Sequence, residues 1–199
     1  MNTIPDSIKD LLDALDTVLN SNTFLLSYVP LHPHDISQSM IAFLNSHSFL
    51  EQIFKQDHDR NWNNFHYWDS ENSDYQQEDG KIVKPDIELK ITKPSVNVRL
   101  YLMSMLTATN EKNGNFWSPY KKQKSEEDAE QLVNNFLKSI GYDEDSETLC
   151  IQPDFLFTTK EMNSDSKILG YFEGEFASDS ATLFVTNNKH YLLLTNGID

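Results

Sequence analysis

Ala181-Thr182-Leu183-Phe184-Val185-Thr186-Asn187-Asn188-Lys189-His190-Tyr191-Leu192-Leu193-Leu194-Thr195 is the stretch whose reading decides the fold. Two apolar runs, 181–186 and 190–195, flank Asn187-Asn188, a pair suited to a tight turn because asparagine tolerates the positive backbone angles that short hairpin loops demand. The stretch predicts a β-hairpin. Upstream of it, Ile168 to Phe176 and Leu149 to Phe157 read as two further strands.

Helical spacing dominates the other end of the chain. Ile8, Leu11, Leu12, Leu15, Val18 and Leu19 recur on one face while Lys9, Asp10, Asp13 and Asp16 take the other, with Thr3 and Asp6 as a capping pair. Phe24 to Val29, stopped by Pro30, reads as a buried strand or an extended connection. A second helical stripe then starts at Asp35 and runs from Ile36 to Phe54, with a break expected near Ser46-His47-Ser48 and with His47 read as a hydrogen-bonded core residue. Ile87, Leu89 and Ile91 alternate with charged residues, and after the Lys93-Pro94-Ser95 turn Val96 to Leu106 begins as a second strand on the alternation of Val96 and Val98, although the apolar run Leu100 to Met103 suits a helix equally. Ser125 with Asp128 caps a third helix that carries Leu132, Val133, Phe136, Leu137 and Ile140 and ends at Gly141.

Helices early and strands late predict an α+β fold, a largely antiparallel sheet with about three helices packed on one face. The 199 residues and the 38% hydrophobic content predict one domain, 1–199, around one core. Within it, residues 57–80 follow neither period and form a long acidic and aromatic loop.

Charge and cysteine content narrow the function classes. Sixteen basic against 31 acidic residues give a net charge of -15, which repels nucleic-acid phosphates and anionic membrane surfaces and attracts basic proteins. Neither nucleic acid nor membrane is therefore an expected partner. The start of the chain lacks a basic segment followed by an apolar run, and no stretch approaches a bilayer span. With Cys150 as the one cysteine, a reducing cytoplasm is the expected compartment. Oligomeric state has no signature in the sequence.

Catalytic patterns are incomplete. Cys150 lies in a strand with no histidine beside it, and there is no nucleophile elbow or glycine-rich phosphate loop. His32, His34, Asp35, Asp57, His58, Asp59 and His66 match no metal-ligand spacing, so neither a metal nor another cofactor is expected. The pair Pro153-Asp154, followed on the next expected strand by Glu173-Gly174-Glu175, resembles the PD-(D/E)xK nuclease family. That resemblance implies a divalent-metal site on Asp154, Glu173 and Glu175, with Glu175 where the family has its lysine. Glu88-Leu89-Lys90 repeats the ExK half of the same motif, with Asp69 or Asp74 upstream.

The loop 57–80 points to binding instead. Trp62, Phe65, Tyr67 and Trp68 are interleaved with seven acids and a single Arg60. Aromatics give anchoring area at interfaces and carboxylates give steering toward lysine and arginine. The expected function is an acidic protein-binding module, an immunity or inhibitor protein that neutralises a basic, bacterial toxin, and not an enzyme. Trp62, Tyr67 and Trp68 would be its anchors, and Asp69, Glu71 and Asp74 would pair with the partner's cations. A metal-dependent nuclease of that kind, or its catalytically degenerate relative, is the main alternative. A DNA mimic, its carboxylates standing in for phosphates, is a further one.

Overall fold

A computed structural model describes residues 4–62, 68–69, 74–75, 82–108, 116, 118–156 and 179–197. Among them are five helices: α1 (Asp6–Leu19), α2 (Ile36–Leu44), α3 (His47–Asp59), α4 (Val98–Thr107) and α5 (Glu126–Ser139). The strands are β1 (Ser21–Tyr28), β2 (Trp68–Asp69), β3 (Asp74–Tyr75), β4 (Ile91–Thr92), β5 (Glu147–Ile151), β6 (Ser180–Val185) and β7 (His190–Gly197). Five of these form one antiparallel sheet in the order β1-β7-β6-β5-β4, and β2 pairs with β3 in a separate ribbon. The fold is α+β, as the order of helical and strand patterns predicts.

The hairpin forms as expected: β6 pairs with β7 from Val185↔His190 outward, and the turn is closed by Thr186 N–H donating to the Lys189 carbonyl at 3.1 Å. Leu192, Leu193 and Leu194 are all fully buried, which requires apolar cover on both faces of the sheet, because successive strand residues point to opposite sides. Three helices, α1, α4 and α5, pack on one face. There Leu15, Met105 and Phe136 meet Leu25, Phe184 and Leu193. The second face, where Phe24, Leu26, Leu183 and Leu194 point, is covered by α2 and α3 through Met40, Phe43, Phe49 and Ile53. The uninterrupted Leu-Leu-Leu run is what separates this arrangement from a sheet covered on one side.

Several expected elements change. The stripe from Ile36 to Phe54 is two helices, since Ser46 turns the chain and caps α3 by accepting the Phe49 N–H. His47 stands exposed at the first position of α3 and not in the core. Val96 to Leu106 contains a helix, not a strand: Asn97 accepts the Leu100 N–H, and Tyr101, Leu102, Met105 and Leu106 bury one side. Leucine and methionine favour the helix there, and the alternation of Val96 with Val98 is too short to oppose it. Of 87–91, only Ile91 enters the sheet, with Thr92. β5 ends at Ile151, and Pro153-Asp154-Phe155 form a 3-10 turn, because proline has no N–H to give a ladder. β1 begins earlier than expected, at Ser21, and Pro5 occupies the cap position of α1. Thr3 and the expected strand 168–176 lie outside the described residues.

β1 is an edge strand, and its outer edge is closed by side chains. Gln52 and Gln56 of α3 each use both ends of the amide. Ser27 N–H donates to Gln52 Oε1 at 2.9 Å and the Ser27 carbonyl accepts from Nε2 at 3.1 Å. Leu25 does the same with Gln56, at 3.2 and 3.0 Å. At Thr23 the N–H donates to Asp16 Oδ1 at 2.7 Å, and the carbonyl accepts from Arg60 at 2.9 Å. The match is one of pitch: four helix residues rise about 6.0 Å and two strand residues about 6.7 Å. Positions 52, 56 and 60 therefore stay in step with 27, 25 and 23.

Gln56→Ala removes two of these bonds and uncovers a strand edge. It is expected to lower unfolding free energy by about 1–3 kcal/mol in urea denaturation, and Gln56→Leu, which keeps volume but no amide, is expected to rescue little.

Candidate functional site

The acidic and aromatic segment is organised by a short ribbon. β2 and β3 pair antiparallel with Trp68 opposite Tyr75 and Asp69 opposite Asp74, and both strands lie beside α3. Tyr67 and Glu71, the other expected contact residues of this segment, lie outside the described residues.

Trp62, one of the expected anchors, packs beside Phe24 and Arg60. It follows the end of α3, where its N–H donates to the Asp57 carbonyl at 3.0 Å. Its ring meets Phe24 edge to face, centroids 5.0 Å apart, and the Arg60 guanidinium lies 4.5 Å from the ring centroid. A cation over an indole face is attracted by the ring quadrupole. The ring is thus half-buried against the core.

Arg60 is the residue that sequence reading undervalued. It is the one arginine among seven acids, and its side chain is directed inward. It bonds Asp13 at 2.6 Å, Asp16 and the Thr23 carbonyl, joining α1, β1 and the end of α3. Burial raises the Asp16 carboxyl to about 7, against the opposing pull of Arg60 and of the hydrogen bonds from Thr23. The available signal is the helical i, i+4 series Gln52, Gln56, Arg60: long hydrogen-bonding side chains on one stripe of a helix that follows an apolar strand.

The nuclease-like halves are placed as follows. Asp154 sits on the 3-10 turn, half-exposed, and its carboxylate is paired with Lys90 at 2.8 Å. That pairing, with Glu88 nearby, holds the Lys90 ammonium above its ordinary range. The fold therefore brings Asp154 to the Glu88-Leu89-Lys90 segment, a meeting that the spacing of the two motifs does not suggest. Glu173 and Glu175 lie outside the described residues. Asp35 is engaged as the cap of α2, accepting the Gln38 N–H at 2.9 Å. Among the described residues, no three histidine, cysteine or carboxylate side chains are arranged to hold a metal ion. Likewise, no described helix is long and apolar enough to cross a membrane.

No protein-family model matches this chain, and no curated protein or solved structure is significantly similar to it.

The Asp16 environment gives a pH prediction. The folded chain holds the Asp16 proton more tightly than the unfolded chain, whose carboxyl titrates near 3.8. This contribution to stability is complete below that value and is lost as pH rises through about 7. Asp16→Asn removes the titration. Urea denaturation at several pH values is expected to show wild type losing stability relative to Asp16→Asn between about pH 4 and 7, by up to about 4 kcal/mol.

Proposed function

We propose that this chain is an acidic protein-binding module of the immunity or inhibitor type, which neutralises a basic toxin in a bacterial cytoplasm. One observation carries the reading: in a chain of net charge -15, the ribbon sets Asp69 opposite Asp74. Acids in this segment of so negative a chain would draw the lysines and arginines of a basic partner. Trp68, one position away and across from Tyr75, belongs to the residue type that most often anchors interfaces.

The engaged groups support the same assignment. Trp62, Arg60, Asp13 and Asp16 are occupied in holding the ribbon's neighbour, α3, against the sheet, so they act as scaffold and leave partner contact to the ribbon. Asp154 is neutralised by Lys90, which favours a structural pair over an open metal ligand at that turn. A cytoplasmic setting accords with the lone, half-buried Cys150, whose thiol is raised by burial.

The test uses the full chain as bait in the cells that encode it, followed by titration of the captured basic protein against purified variants. Trp68→Ala and the pair Asp69→Asn with Asp74→Asn are each expected to weaken binding by about 2 kcal/mol or more, the aspartate pair more strongly at low salt. Unchanged affinity in both variants, with native circular dichroism, would refute the assignment of the ribbon.

A further inference from the structure

The two edges of the sheet are treated in opposite ways. At β1, every outward peptide group of Thr23, Leu25 and Ser27 is taken by a side chain. At the other edge the ladder opens. Val83 pairs with Leu156 and Ile91 with Ile151, so eight steps of one chain stand against five of the other, and Pro85 to Leu89 bulge outward. Lys84 N–H still donates to the Phe155 carbonyl, and the Lys90 carbonyl accepts from Gln152, but between them the backbone of Pro85–Leu89 makes no hydrogen bond to any described residue.

This bulge forms one wall of a groove. The other wall is the corner where α2 ends and α3 begins. Two depressions, of about 450 and 210 Å³, adjoin there and share Asn45 and Pro85. Ile41 and Ile87 give the larger an apolar spot among polar groups, and Leu44, Leu50 and Ile82 do the same in the smaller. Asp86 and Glu88 line the larger depression, and Lys84 lines the smaller. Both carboxylates are exposed, and their peptide groups belong to the unbonded stretch.

We propose that this groove binds an extended segment of a basic protein, one apolar side chain of the segment seated on the Ile41 and Ile87 spot and flanking lysines or arginines paired with Asp86 and Glu88. Peptide groups that bond no described residue give such a segment main-chain partners, the Ile41 and Ile87 spot receives one side chain, and the carboxylates select the charge. A second copy of this chain is disfavoured as occupant by a net charge of -15 on each molecule. The site lies at the start of α3, apart from the Trp62 and Arg60 cluster at its end, and does not depend on the ribbon assignment.

The experiment is an NMR titration of the ¹⁵N-labelled full chain with the blocked peptide Lys-Leu-Lys-Val-Lys and, separately, with Glu-Leu-Glu-Val-Glu. The basic peptide is expected to shift the amides of Ile41 to His47 and of Lys84 to Leu89, and the acidic one to leave them unmoved. Asp86→Asn with Glu88→Gln, two exposed substitutions, should raise the dissociation constant about tenfold or more. Trp68→Ala should leave it unchanged, which separates this site from the ribbon. No shifts, shifts confined to other regions, or equal affinity in the double variant would each overturn the proposal. So would concentration-dependent shifts of the same amides without peptide, which would give the groove to a second copy.

Discussion

The hydrogen bonds from α3 to the outer edge of β1 are the constraint on which the rest of the structure depends. An edge strand carries a row of peptide groups that either stay in water or recruit another strand. Here α3 runs antiparallel to β1, as the next strand would: Gln52 and Gln56 each bond an N–H and a carbonyl of the strand, and Arg60, just past the helix, donates to the Thr23 carbonyl. These are five hydrogen bonds to backbone, with a sixth from Thr23 N–H to Asp16 of α1, each with a net value of roughly 0.5–1.5 kcal/mol. Their main effect is geometric. They fix the height of α3 over the sheet, and with it the packing of Phe49, Ile53 and Phe54 on Phe24 and Leu26.

From that anchorage the candidate interaction surfaces follow. The end of α3 is tied by Arg60 to α1 and β1 and stacked on Trp62, and the β2–β3 ribbon rests beside the helix so held. The beginning of α3 meets the end of α2 at the groove formed with residues 82–88. One helix thus supports both regions. The acidic charge of the chain is divided accordingly: Asp13 and Asp16 face Arg60, while Asp86 and Glu88 are exposed beside the groove.

Local patterns in the sequence reported what depends on local physics. The hairpin at Asn187-Asn188, the amphipathic spacing of α1 and the Ser125 and Asp128 cap of α5 are all set by residues close in sequence, and all form as read. What depends on distant partners was less legible. Val96 to Leu106 alternates at its start and is helical in the fold, because its burial is decided by α1 and α5 and not by its neighbours. Arg60 meets its partners only once β1 and α1 are placed around it. The pairing of Asp154 with Lys90 joins residues 64 positions apart, which no spacing rule anticipates. Of the expected contact residues, the ribbon register relates Trp68, Asp69 and Asp74, and Trp62 is drawn to the core by Phe24.

Native-state hydrogen exchange along β1 tests the edge closure most directly. In an ordinary edge strand the protection alternates, since every second amide points to solvent. The account predicts that Thr23, Leu25 and Ser27, whose amides donate to Asp16, Gln56 and Gln52, exchange as slowly as Phe24 and Leu26, which face β7. Fast exchange at 23, 25 and 27 beside slow exchange at 24 and 26 would contradict it.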